Sequence, residues 1–156
     1  HPYLESFFSE FDLLEQGDFR DRQACETAVH LLHYLAAKEV FAPEYDLVFE
    51  KYLCGIPVHD PIQRFVVLSD DMKTECEQLL AAVIRNWHKL RDTSPDGLRE
   101  GFLRRKGKLT RDGFGRRLIV ERQSHDVLLS FLPWGISMIR LPWMEEMLSV
   151  EWPESL

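Results

Sequence analysis

Apolar residues recur at spacings of three and four over most of the chain before residue 91, which is the pattern of helices that each bury one face. Residues 3–14 set Tyr3, Leu4, Phe7, Phe8, Phe11, Leu13 and Leu14 among acidic side chains, predicting an amphipathic helix with an aromatic face. Gly17–Arg22 reads as a polar connection. From Gln23 to Lys38, the stripe of Ala28, Leu31, Leu32 and Leu35, widened by Val29 and Ala36, predicts a core helix. Pro43 suits the first turn of another helix, running through Leu53 with Leu47, Val48 and Tyr52 inward, and Gly55 supplies a left-handed stop. Pro57 and Pro61 bracket a turn carrying His59 and Asp60. The strongest signal lies between Ser69 or Asp70 and Leu90, where Met72, Cys76, Leu79, Leu80, Val83, Ile84, Trp87 and Leu90 share one helical face.

Thr93-Ser94-Pro95-Asp96 is a helix-start signature, because a hydroxyl caps open amides and proline suits the first turn. The short helix after it is expected to turn Leu98, Phe102 and Leu103 inward, to leave Arg99, Arg104, Arg105 and Lys106 wet, and to end at Gly107. Beyond this point the periodicity shortens. Asp112-Gly113 signals a turn before a strand over Phe114–Arg122, in which Leu118 and Val120 alternate with Arg117, Ile119 and Glu121. Ser124 is placed to cap a short Asp126–Leu132 helix, broken by Pro133 and Gly135. Ile136–Leu141 and Leu148–Trp152 are further strands about a bend at Pro142. The pattern predicts an α+β fold: a mainly helical domain with a small antiparallel C-terminal sheet packed on the helices.

A chain of 156 residues is long enough to bury a core and short enough for one, so a single domain over residues 1–156 is expected, with residues 1–23 as an N-terminal extension. The net charge of −7 is unevenly spread: residues 1–50 hold 3 basic and 11 acidic side chains, residues 101–156 hold 9 basic and 7 acidic. This polarity suits self-association or a protein partner more than a phosphate backbone, and nucleic acid is not an expected partner. The basic run from Arg99 to Arg117 lacks an aromatic comb and reads as a solvated face or protein-docking patch. Cys25, Cys54 and Cys76 form no C-x-x-C pair and read as buried thiols in a reducing compartment. No apolar run is long enough for membrane insertion, and no signal-peptide pattern is present. The first residue, His1, hints at an excised domain or a trimmed chain.

The sequence offers little chemistry. His30 and His33 share a helix face without a third ligand and read as surface or boundary residues; no metal site follows. His59-Asp60 near Cys54, and the string Ser124-His125-Asp126, lack the arrangement of a nucleophile and base. His88 reads as a surface residue at a helix end. Asp70 and Asp71 fit a helix start, and Glu145 and Glu146 fit a solvated turn rather than a two-carboxylate centre. The glycines form no phosphate loop, so neither catalysis nor a cofactor is expected. The aromatic residues say more. In Leu132-Pro133-Trp134-Gly135 and Leu141-Pro142-Trp143-Met144, a proline fixes the approach of a large ring. Trp134, Trp143 and Trp152, together with Phe7, Phe8, Phe11, Arg104 and Arg105, are the candidates for structural anchors or partner contacts.

The order of several stretches resembles the carboxy-terminal region of the contractile injection system tape measure family. They are Leu31-Leu32-His33-Tyr34-Leu35, Leu53-Cys54-Gly55-Ile56-Pro57, Asn86-Trp87 with Thr93 to Arg99, Asp126 to Leu129 with Leu132 to Ser137, Ile139 to Met144, and Val150-Glu151-Trp152. The resemblance spans roughly residues 28–152. It implies a noncatalytic part of a phage-tail-like particle: the terminal assembly or anchoring domain of a longer tape measure protein, partnered by baseplate, hub or inner-tube proteins. It also implies a cytoplasmic location during assembly and one within the particle afterwards. The measuring role needs an extended segment, and no long heptad-rich tract occurs here. Joint exposure of Phe7, Phe8, Phe11 and Trp143 would instead suit a stand-alone adaptor or chaperone that binds a client through an aromatic surface; their burial would suit a sealed structural domain.

Overall fold

The computed structural model describes residues 1–113 and 115–153, and the chain divides into two compact units. The first is His1–Leu79 with Leu141–Glu145, the second Leu80–Arg140 with Glu146–Leu156. The fold is α+β.

In the first unit, helix α1 spans Leu4–Glu10. It is shorter than the 3–14 pattern suggests because Asp12 adopts a left-handed φ of 53°, and the Leu13 amide then turns back to the Phe8 carbonyl at 3.1 Å. The supposed connection after it contains a minimal antiparallel hairpin, β1 (Leu14–Glu15) and β2 (Asp18–Phe19). Its loop residues Gln16 and Gly17 have φ of 53° and 86°, the double positive φ that a two-residue hairpin favours.

Helix α2 spans Arg22–Ala37, begun by the Asp21 carboxylate accepting from the Ala24 amide at 2.7 Å and ended by left-handed Lys38. Ala28, Val29, Leu31 and Leu32 of its stripe are buried as expected. Pro43 stands before a 3-10 turn, Glu44–Leu47, rather than inside a helix, and α3 follows over Val48–Leu53. Gly55 provides the left-handed stop, at φ 75°.

Helix α4 spans Asp70–Asn86, and Ser69 Oγ accepts from the Met72 amide at 3.1 Å. The apolar stripe continues to Leu90 but the helix does not: Trp87 departs to φ −100°, ψ 86°, and His88–Leu90 form a 3-10 turn.

Trp143 closes the core of the first unit. Its ring lies 5.6 Å from Phe8 and 5.0 Å from Phe19 between centroids, and its Nε1 donates to the Leu53 carbonyl at 2.7 Å. Phe8 is wholly buried and Phe7 nearly so. One ring thus ties α1, the β1–β2 hairpin and the end of α3 together, across 90 residues of sequence for the hydrogen bond alone.

In the second unit, Ser94 caps α5 (Pro95–Leu98) by accepting from the Gly97 amide. A π-helical turn, Arg99–Leu103, follows at once. The wider turn changes which side chains face inward: Arg99 is buried against Asp96 at 2.7 Å, whereas Leu103 is exposed, the reverse of the expectation for both. Arg105, also expected in water, is buried in an ion pair with Asp126. Its guanidinium further donates to the carbonyls of Gly101 and Glu121.

Gly107, expected to end a helix, opens strand β3 (Gly107–Asp112). Strand β4 spans Gly115–Val120 and pairs antiparallel with β3; Phe114, expected in this strand, lies outside the described residues. A 3-10 helix, Ser124–Phe131, stands where a short α-helix was predicted. Its cap is Gln123, not Ser124: the Asp126 carboxylate accepts from the Gln123 amide at 2.8 Å in a reciprocal capping box. Of Ile136–Leu141 only Met138–Ile139 is strand, β5, and β6 is Leu148–Glu151.

The sheet is mixed rather than antiparallel, with order β3-β4-β6-β5 and β4 parallel to β6. Leu148 and Val150 are buried, whereas Met138 is exposed, so β6 takes the inner position and two-residue β5 the edge. The long chain between β4 and β6 permits the parallel pairing. Trp87 packs against Phe102 at 4.7 Å and donates to the Leu128 carbonyl at 3.1 Å, fixing the 3-10 helix within the unit.

Burial raises the Asp126 pKa, but the Arg105 hydrogen bond, the Gln123 amide and nearby positive charge outweigh it, so the carboxyl titrates below its ordinary 3.8. A depressed folded pKa gives stability that is present above the unfolded value and lost as pH falls through the folded one. Asp126→Asn is therefore expected to cost about 3–5 kcal/mol at neutral pH, by stranding buried Arg105, and to flatten the loss of stability below about pH 4, both read by urea denaturation across pH. Trp143→Phe keeps an aromatic ring, though a smaller one, and strips the Leu53 carbonyl of its donor, and the same measurement is expected to show a loss of about 1–3 kcal/mol.

Candidate protein-docking surface

The aromatic residues singled out by sequence lie mostly inside. Phe7, Phe8 and Trp143 are buried in the first unit, and Phe11 is half-buried with its ring edge-on to Phe7. In the second unit Trp134 and Trp152 are half-buried; the Trp152 ring lies 6.0 Å from the Arg105 guanidinium. Arg105 is spent on Asp126, and half-exposed Arg104 reaches Glu100 at 3.5 Å.

The candidates for chemistry are similarly occupied by structure. His30, expected at the surface or a boundary, is buried, with Nε2 2.7 Å from the Gln63 carbonyl. His33 Nδ1 is 2.9 Å from Glu50, and that hydrogen bond, against partial desolvation, raises the His33 pKa. The Cys25 thiol donates to the Cys54 carbonyl; burial pushes Cys25 up to about 11 and Cys54 well above its ordinary range, which leaves both as inert thiols at neutral pH. His59 is exposed while Cys54 is buried. Glu146, expected in solvent, bonds Arg116 at 3.2 Å. Among the described residues no group of three His, Cys, Asp or Glu side chains could hold a metal ion, and no helix is long and apolar enough to cross a membrane.

A residue the sequence did not mark organises the first unit beyond α2. Lys51, on α3, is 1% exposed. Its ammonium donates to the Glu44 carboxylate at 2.7 Å, to the Val58 carbonyl at 2.8 Å and to the Asp60 carbonyl. All three of its N–H bonds are thereby used, and the Pro57–Pro61 turn is pinned to the 3-10 turn and α3. Next along the chain, the Gln63 amide donates to Glu26 at 3.1 Å while its carbonyl faces His30, so the segment is also tied to α2.

Those ties hold two stretches of chain side by side, and what they present outward is apolar. Phe41 is 62% exposed, Tyr45 78%, Phe65 67% and Val67 92%. Phe41 and Phe65 meet edge to face at 5.5 Å, and the Arg64 guanidinium sits 5.4 Å from the Phe65 ring centre. Beside them a groove of about 300 Å³ runs between Ala42, Pro43, Glu44 and Leu47 on one side and Ile62, Gln63 and Arg64 on the other. Single exposed apolar residues are ordinary, but a contacting aromatic pair beside a groove is the form of a protein-binding surface. Hydrophobicity alone does not reveal this surface, because Phe41, Phe65 and Val67 read in sequence like any loop residue destined for the core.

If Lys51 holds this surface in shape, Lys51→Met should fill the same space but free the Val58 and Asp60 carbonyls. The expected result is faster amide exchange over residues 57–64 with α2 unchanged, together with a loss of about 1–3 kcal/mol in urea denaturation.

The family described as contractile injection system tape measure protein matches residues 1–152. The match includes the first 27 residues, which the resemblance read from the sequence alone left out. No curated protein and no solved structure matches the chain. The match over nearly the whole length fits a chain whose polar and reactive side chains serve its own folding: the protein belongs to the contractile injection system tape measure family, structural components of the injection particle.

Proposed function

We propose that this chain is the anchoring domain of a tape measure protein, holding it to baseplate, hub or inner-tube proteins through the exposed apolar face of the first unit. The observation that carries the reading is the Phe41–Phe65 pair, more than half exposed on both rings beside an open groove. A sealed domain would cover those rings; a domain that docks during assembly leaves them for its partner.

Anchoring fits this chain better than measuring does. Among the described residues the longest helix is α4, with 17 residues, which at 1.5 Å per residue reaches only about 26 Å. A ruler belongs to an extended tract elsewhere in such a protein. Assembly in the cytoplasm followed by retention in the particle is the corresponding course of events. The adaptor reading, which relied on an aromatic surface of Phe7, Phe8, Phe11 and Trp143, loses support because Phe7, Phe8 and Trp143 fill the core of the first unit.

The test is cross-linking mass spectrometry of assembling particles that carry the wild-type protein or Phe41→Ser with Phe65→Ser. Both side chains are largely exposed, so the thermal midpoint of the variant is expected to stay close to wild type. Cross-links from the first unit to baseplate, hub or inner-tube proteins are expected to be lost. Unchanged cross-links, or cross-links only to a soluble client, contradict the proposal.

A further inference from the structure

The stretch after Gln63 combines three features. Residues 65–69 contain no helix, turn or bend. Their exposure alternates: Phe65 is exposed, Val66 half-buried, Val67 exposed and Leu68 buried. That period of two is the signature of an extended strand with one face on its own unit. Yet among the described residues no backbone group from Arg64 to Leu68 makes a hydrogen bond, in contrast to Gln63, whose amide and carbonyl are both used. A strand-forming segment rich in β-branched and aromatic residues, with its backbone unpaired on both edges, is a template for a further strand.

We propose that Phe65–Leu68 receives an extended segment of a partner protein as an added strand, which makes the docking surface a site of β-augmentation. The inference rests on the anchoring reading and specifies its mode. The added strand would gain main-chain hydrogen bonds along this edge, and its side chains would lie against Phe65 and Val67. One apolar side chain would enter the groove between Leu47 and Ile62, where about 300 Å³ is open. The partner segment is basic at its flanks. The first unit carries 17 acidic and 6 basic side chains, and Asp70 and Asp71 stand exposed just after the segment. Opposite charge on the incoming strand would steer it and fix its register.

The test uses the chain in assembled particles and alone, followed by residue-resolved amide exchange. Successive amides of a strand point to opposite edges, so pairing along one edge protects alternate amides. Protection in the particle at every second amide from Phe65 to Leu68 is the expected result; uniform protection, or none, overturns the proposal. Val66→Pro and Val67→Pro each remove one amide that bonds to no described residue. One of the two is expected to lower retention of the chain in particles about tenfold, as the loss of a hydrogen bond or two implies, with the thermal midpoint unchanged. If Phe41→Ser with Phe65→Ser abolishes docking while neither proline variant does, the strand mechanism fails and the anchoring reading stands. If none of them affects docking, both fail. A dimer of the isolated chain that the same proline variant dissolves would make a second copy the occupant and also overturn the proposal.

Discussion

The exposed face of the first unit depends on one buried ammonium. Lys51 sits on a short helix with essentially no contact with water, a position that an unpaired lysine could not hold. It is stable there because one carboxylate and two carbonyls take its three protons, and those acceptors come from three places: the 3-10 turn, residue 58 and residue 60. The cost of burying the charge is offset only when all of these groups are in position together, so the interaction specifies geometry more than it adds stability. Gln63, held between Glu26 and His30, extends the same control to the segment that follows. These ties fix the chain at Glu44 and Gln63, three residues after Phe41 and two before Phe65, and the two rings meet beside them.

The second unit repeats the principle with a different pair. Arg105 and Asp126 are both buried, and the carboxylate that neutralises the guanidinium also caps the 3-10 helix. A π-helical turn before Arg105 sets which residues face inward. Helices α3 and α5 are short, with 6 and 4 residues, and around them polar contacts between turns do the positioning that longer helices achieve by packing.

Helices with sustained periodicity were legible: α2 and α4 follow from their apolar stripes, Gly55 acts where the sequence places it, and the helix-start signature at residues 93–96 opens α5 with Ser94 as its cap. Boundaries failed where a local backbone choice overrode the pattern, as at Asp12 and Trp87. Strand β3 was missed because Gly107–Asp112 has a single large apolar residue, Leu109, and gains its structure from the ladder with β4 rather than from alternation. The antiparallel sheet was a reasonable reading of consecutive short strands, but the buried faces of Leu148 and Val150 draw β6 between β4 and β5. Arg99 and Arg105 read as wet, His30 as a surface or boundary residue, and Lys51 carries no mark, since a buried polar residue is recognisable only once its distant partners are known. The same limit hid the exposed apolar face of the first unit. Its apolar residues were visible in sequence, whereas the lack of a covering element was not.

The proposed anchoring role requires an apolar face left open to a partner, and the first unit has such a face at Phe41 and Phe65. Hydroxyl-radical footprinting of assembled particles against the free chain measures this most directly. The account predicts that labelling of Phe41, Tyr45 and Phe65 falls on assembly by a larger factor than labelling of Phe131, an exposed aromatic residue of the second unit. Equal labelling of the three residues in the free and assembled states, or stronger protection at Phe131, would contradict it.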